Sequence, residues 1–344
     1  MQAVVIHAPR DLRLEEAEVP PLQPGQVEVR VRRGGICGSD LHYYLHGGFG
    51  AVRVREPMIL GHEVAGEIAA IGPGVTGLAP GMAVAVHPAL PCGTCRFCRA
   101  GQSTHCLDMR YFGSAMRTPH VQGAFRERLV CAASQAVPLP AGLSLEMAAF
   151  AEPLSVALHA VHEAGPLLGA RVLVTGAGPI GALVMMAARL AGAREVVATD
   201  ILAAPLAMAL KIGADAARNT AAEPEALTPF AADKGYFDVA FEASGSSAAL
   251  IAALQCVRPR GTIVQVGLGG GDTTAPFAPL VGKEIRLCGT FRFQDEFPWA
   301  VDYLGSGRID PRPLLTEVRP VGDALAAFDL AADRGKAMKV MLAF

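Results

Sequence analysis

Up to about residue 140, apolar and polar positions alternate in short bursts. Val27, Val29 and Val31 are separated by single polar residues, Glu63–Ile71 continues the two-residue period, and 82–87 offers a third such segment. Proline and glycine punctuate the intervals, as in Pro20-Pro-Leu-Gln-Pro-Gly25 and Gly72-Pro-Gly74. This part predicts short strands joined by turns, a β-rich or barrel-like unit. From Ser144 the period lengthens. Ser144 reads as an N-cap with Glu146 in the first turn, and a helical pattern runs toward His162. Pro153 interrupts it, which predicts either a kink or two helices. Strand candidates at 171–175, 195–199, 238–242, 262–266 and 285–289 then alternate with helices over 179–191, 202–212 and 246–257. That alternation predicts a doubly wound parallel sheet. The closing segment Lys339–Phe344 reads as a strand that would rejoin the first unit.

Composition narrows the class. A chain of 344 residues exceeds one ordinary core and points to two domains of about 150 residues each. Hydrophobic residues make up 51% and charged residues 18%, which argues against disorder. The 32 acids and 30 bases nearly cancel, so there is no basic footprint for nucleic acid or for an anionic membrane. Mean hydropathy is +0.34, but the apolar run 182–188 is broken by Arg189, well short of the roughly 18 residues a membrane span needs. The opening residues alternate like a strand and lack the basic-then-apolar pattern of a leader, so a cytoplasmic location is expected.

Residues 171–181 form a strand candidate feeding Gly176-x-Gly178-x-x-Gly181 and then a helix. Gly176 permits the tight turn, Gly178 lets backbone approach a pyrophosphate, and Gly181 lets helix and strand pack closely, with the helix N-terminus facing the phosphates. A second strand ends in Asp200, at the interval expected of an acid that grips the adenosine ribose hydroxyls. A carboxylate there repels a 2′-phosphate, and residues 201–205 offer no Arg or Lys, so NAD is expected over NADP. The competing reading of Asp200 is a helix cap.

Four of the eight cysteines, Cys92, Cys95, Cys98 and Cys106, fall within fifteen residues. In a large chain expected in the cytosol such clustering points to metal rather than disulfides, and four thiolates suit a closed structural zinc site. Other candidate groups are dispersed. Gly35-Ile-Cys-Gly-Ser-Asp-Leu-His42 offers Cys37, Ser39 and His42; Gly61-His-Glu-Val-Ala-Gly66 offers His62 and Glu63; Ala151-Glu-Pro-Leu-Ser155 offers Glu152. Singly each is weak, since a lone Cys is usually buried filler and a Glu before Pro is often a cap, and spacing does not assemble them.

Together these motifs resemble the zinc-containing medium-chain dehydrogenase/reductase family along essentially the whole chain. Within it the sequence is similar to the sorbitol dehydrogenase branch, in particular its L-idonate 5-dehydrogenase group. That likeness rests on Asp40-Leu-His-Tyr-Tyr44, His46-Gly-Gly-Phe-Gly50, Gly113-Ser-Ala-Met-Arg117, the segment from His120 to Arg126 and Phe291-Arg-Phe293. The resemblance implies a GroES-like β-barrel catalytic domain at 1–150 and 291–344, with a zinc lobe at about 88–110, and a Rossmann domain at 151–290. It implies a catalytic zinc on Cys37, His62 and Glu152, with Glu152 direct or through water and Glu63 as neighbour or alternate ligand. Alcohol dehydrogenases proper carry Cys at the Glu152 position, so the carboxylate marks the polyol branch.

The resemblance further implies Ile180, Asp200, Val266, Gly267, Leu268, Phe291, Arg292 and Phe293 along the nicotinamide cofactor, and Tyr43, Glu152 and Arg292 near the substrate. Ser39 would pass the hydroxyl proton through the cofactor ribose to His42; a plain surface histidine is the alternative for His42. Arg292, with Arg110 and Arg117 behind it, would read the carboxylate of a sugar acid, and for Arg117 a surface or inter-subunit salt bridge competes. The expected reaction is NAD-linked oxidation of a secondary alcohol on a polyol or sugar acid. The rivals are a sorbitol-, xylitol- or threonine-type dehydrogenase, and a non-catalytic, crystallin-like nucleotide-binding protein. A homodimer or homotetramer, paired through the edge strand near 285–289, is the expected assembly.

Overall fold

The computed structural model describes residues 1–269 and 274–344. Its contacts divide the chain into two units, Met1–Glu152 with Phe297–Asp333 and Lys339–Phe344, and Pro153–Glu296 with Arg334–Met338.

In the first unit the strand Gln26–Gly35 is the hub. It pairs antiparallel with Glu63–Ile71, Arg128–Ala132 and Lys339–Ala343, and the last of these pairs parallel with Leu315–Pro320. Val27, Val29 and Val31 are buried, as their alternation predicts, and Glu63–Ile71 forms the strand expected. The expected 82–87 strand is Ala83–Val86. Ser144 does cap a helix, its Oγ accepting from the Met147 N–H at 3.3 Å, but that helix is only Leu145–Ala148. A second helix, Ala151–Ala164, follows. The break therefore falls before Pro153, which sits in the first turn of the second helix, where a missing N–H costs nothing.

The second unit is a six-stranded, all-parallel sheet in the order Ala216–Asn219, Glu195–Asp200, Arg171–Thr175, Phe237–Glu242, Val257–Gln265, Arg286–Gly289. The order reverses beside Arg171–Thr175, the switch point at which open α/β sheets bind nucleotides. Strand Ala216–Asn219 escaped the sequence reading, because only four half-buried residues carry it. Its core gathers Leu173, Val197, Phe237, Ala240, Leu254 and Ile263. No helix among the described residues is long and apolar enough to cross a membrane.

Candidate active site

The first unit brings the dispersed groups together. Cys37 is the extended residue before helix Gly38–His46, and His62 and Glu63 lie where strand Glu63–Ile71 begins. One donor atom each from Cys37, His62 and Glu63 lies within 4.8 Å of the others. Glu152 stands outside that set of three, its carboxylate accepting a hydrogen bond from the Tyr111 hydroxyl at 2.5 Å. Glu63 is held by Lys339, whose Nζ donates to its two oxygens at 2.8 and 2.7 Å and to the Ile36 carbonyl at 3.2 Å. A side chain on Gly35 would press on the Glu63 carboxylate, which would have to shift within its pairing with Lys339.

Asp40 is fully buried and accepts from the N–H groups of Cys37 at 3.0 Å and Gly61 at 3.1 Å, tying the Cys37 turn to the His62 turn. Burial pushes the Asp40 carboxyl up, against the pull of His62 and these two N–H groups. Burial raises Glu152 as well, and Glu63 adds to it, while His62 and Tyr111 oppose. For His62 burial works against the charged ring, yet Asp40 and Cys37 hold it well above its ordinary value. Lys339 likewise stays charged despite burial, because Glu63 faces it.

These details fit a divalent cation. The buried Nδ1 of His62 has no hydrogen-bond partner, the nearest Asp40 oxygen being 3.8 Å away. Around it stand a cysteine and three carboxylates, Asp40, Glu63 and Glu152, against the single ammonium of Lys339. Thiol, imidazole and carboxylate are the donors zinc takes.

The four-cysteine lobe is built locally. Sγ of Cys98 lies 3.5 Å from Sγ of Cys95 and 4.0 Å from Sγ of Cys92, far beyond a disulfide and close to the about 3.8 Å between sulfurs of a tetrahedral zinc site. Backbone N–H groups point at the sulfurs: Cys92 and Asp108 at Cys106, and Cys95 at Cys92. Such donors hold the Cys92 thiol down at about 6 and lower Cys95, whereas burial and the neighbouring sulfurs of Cys95 and Cys106 push Cys98 up to about 12. The cluster fits a structural zinc.

In the second unit Gly176 takes φ +89° and Gly178 precedes helix Pro179–Leu190, with proline at its first position. Any Cβ on Gly181 would strike the Gly176 carbonyl. Asp200 Oδ2 accepts from the Ala177 N–H at 2.9 Å, and Oδ1 from Ile201 and Leu202 at 2.7 and 3.1 Å. The carboxylate thus also organises the turn after its strand, but it does not cap the following helix, whose N-cap is Leu202 with no side-chain cap bond. Arg334 Nη2 donates to Asp200 Oδ2 at 3.1 Å. Residues 201–205 hold no base, but one arrives from 134 residues away, which corrects the picture of an unaccompanied acid. Buried Glu242 accepts from Ser244 and Gly245 N–H, and its carbonyl accepts from Val266 and Gly267, fixing the loop of the expected cofactor residues. Leu268 beyond it is exposed.

The remaining candidates divide. Ser39 and His42 lie three residues apart on helix Gly38–His46, a spacing that shares one helix face, and His42 is exposed. Burial of part of its ring, with His46 beside it, lowers the His42 pKa. Tyr43 is buried, its hydroxyl accepting from the Ala115 N–H at 3.1 Å. Arg117 pairs with Asp108 next to the zinc lobe, which is the salt-bridge alternative. Arg292 has φ +56° and lies over the Phe291 ring at 4.9 Å, while Phe293 is buried. Sequence reasoning missed Lys339, Tyr111 and Asp40. Only Asp40 left a local signal, as a carboxylate three residues past Cys37.

Comparison with known proteins agrees with this geometry. The family model "Alcohol dehydrogenase GroES-like domain" matches residues 23–141 and "Zinc-binding dehydrogenase" matches 179–306. L-idonate 5-dehydrogenase (NAD(P)(+)) of Escherichia coli K12 is 45% identical over 92% of this chain and 91% of its own length. The sorbitol dehydrogenase of Gallus gallus is 38% identical over 99% and 95%. The crystal structure of the E. coli L-idonate 5-dehydrogenase superposes with a TM-score of 0.96 at 42% identity, covering 100% of this chain and 98% of that one. With the four-cysteine lobe, the glycine-rich turn and the Cys37–His62–Glu63 set in place, the chain belongs to the zinc-containing medium-chain dehydrogenase/reductase family, in its polyol and sugar-acid dehydrogenase branch.

Proposed function

We propose that this protein oxidises the C5 hydroxyl of L-idonate to 5-keto-D-gluconate, using NAD. The observation that carries the reading is the Cys37–His62–Glu63 set with buried Glu152 beside it, in a chain 45% identical to an L-idonate 5-dehydrogenase. Cys37 and His62 hold the catalytic zinc, with Glu152 or Glu63 completing the set. Zinc supplies Lewis acidity that eases loss of the hydroxyl proton, and the nicotinamide is the two-electron hydride acceptor.

This chain's own residues do the rest. Lys339 pairs with Glu63 and balances its charge, and Glu152 presents a second carboxyl group beside the set. Tyr111 orients Glu152 by donating to one of its oxygens. Asp40 keeps the Cys37 and His62 turns in register. Ser39 takes the proton and His42, one turn along the helix and exposed, releases it to solvent. Arg292 is the arginine proposed to read the carboxylate of the sugar acid, and Tyr43 to bound the substrate. The assembly is a cytoplasmic homodimer or homotetramer, with the edge strand Arg286–Gly289 as the pairing element.

A second reading, a plain sorbitol- or xylitol-type dehydrogenase, is favoured by one observation, the engagement of Arg117 with Asp108. A hydride-transfer assay of L-idonate, D-gluconate and sorbitol with NAD and NADP separates the two. Turnover of L-idonate well above sorbitol is expected. Equal or faster sorbitol oxidation overturns the sugar-acid assignment, and no turnover with a single bound zinc would make the chain a non-catalytic nucleotide binder.

A further inference from the structure

Apart from both zinc sets, the second unit holds a third group of metal-type donors. His159 and His162 lie one turn apart on helix Ala151–Ala164. Both direct Nδ1 at the same oxygen of Glu296, at 3.0 and 3.1 Å. The other oxygen accepts from the Gln294 N–H at 2.7 Å, which fixes the carboxylate at the first turn of helix Glu296–Gly305. One donor atom from each of the three residues lies within 4.8 Å of the others. Glu296 is buried, whereas the His162 side chain is 63% exposed, so the group opens to solvent on one side.

We propose that His159, His162 and Glu296 form a third, exchangeable site for a divalent transition cation of the zinc, nickel or cobalt class. Two imidazoles and one carboxylate suit these borderline ions, whereas calcium and magnesium prefer all-oxygen sets. Bonds of about 2.0–2.1 Å to a tetrahedral ion place its ligand atoms about 3.3 Å apart. The two separations from Glu296, 3.0 and 3.1 Å, lie a few tenths short of that spacing, and all three donor atoms lie within 4.8 Å of one another. Three protein donors leave a coordination position for water or a solute on the side of His162.

The test is nickel binding to the zinc-replete enzyme, followed by calorimetry and by metal analysis after gel filtration. A third equivalent of metal is expected beyond the two resident zincs. It should weaken by about tenfold or more in His162→Ala, whose exposed position leaves the fold intact, and in Glu296→Gln. The proposal is overturned if wild type takes up no third equivalent, or if both variants bind it as tightly as wild type. Either result would leave the three residues as a hydrogen-bonded clamp. The readout is metal stoichiometry, so it stands or falls independently of the substrate assigned above.

Discussion

The two zinc sets of the first unit are built in opposite ways. The four cysteines come from one fifteen-residue stretch, and N–H groups within it or two residues past its end serve their sulfurs. The proposed catalytic set draws Cys37, His62, Glu63 and Glu152 from three separate turns, and Lys339, 276 residues from Glu63, pairs with it. The lobe can assemble from local chain; the catalytic set exists only where the sheet has already placed its members. The first should therefore respond to substitution as a stability element and the second as a chemical one.

The sharpest way to break that contrast is His62→Ala. Loss of the catalytic zinc should cut turnover by about 10⁴-fold, roughly 5 kcal/mol of transition-state stabilisation, while metal analysis still finds the lobe zinc. A protein that loses both zincs would show the two sets to be one cooperative unit. Next in size is Lys339→Met, which strands buried Glu63 without a counter-charge and should cost about 3–5 kcal/mol in denaturant unfolding. Lys339→Arg should recover most of that stability.

Cys95→Ser tests the other side of the comparison. It should remove one zinc and about 2–4 kcal/mol of stability, with kcat near wild type well below the melting temperature. A primary loss of kcat at full stability would contradict a purely structural lobe. Smaller again is Arg334→Ala. Its guanidinium is half exposed beside Asp200, so removing it should raise KM for NADP by up to about fivefold and change KM for NAD less. The subtlest effect is on pH. Because the His42 pKa is lowered, its ring stays neutral and able to accept a proton at pH values below the ordinary 6.5. Oxidation should then fall only at still lower pH, and His42→Gln should flatten that acid limb. An unchanged pH–rate profile would remove His42 from the proton path.

What the sequence made legible follows the same divide. The glycine-rich turn and the four cysteines are spaced by local geometry, a tight turn or a tetrahedron, and local geometry leaves a fixed spacing in the chain. The capped start at Ser144 and the alternation in 27–31 are legible for the same reason. Asp200–Arg334, Glu152–Tyr111 and Glu63–Lys339 lie 134, 41 and 276 residues apart, and such pairs are set by the fold rather than by any period. Lys339 was hidden inside an apolar strand pattern, where a lone lysine usually reads as the strand's polar edge. The catalytic trio itself was reachable only through resemblance, and the structure gathers Cys37, His62 and Glu63 more closely than it gathers Glu152.

The strand that carries Lys339 has a consequence for the order of events during synthesis. It pairs with the hub strand Gln26–Gly35, so that strand is made, and its other neighbour Glu63–Ile71 laid beside it, roughly 270 residues before its third partner leaves the ribosome. A chain ending ahead of residue 339 would lack the ammonium that Glu63 faces in the finished protein. The charge balance of the catalytic set is thus the last part of it to be made, whereas all four cysteines of the lobe are in the chain once residue 106 has been added.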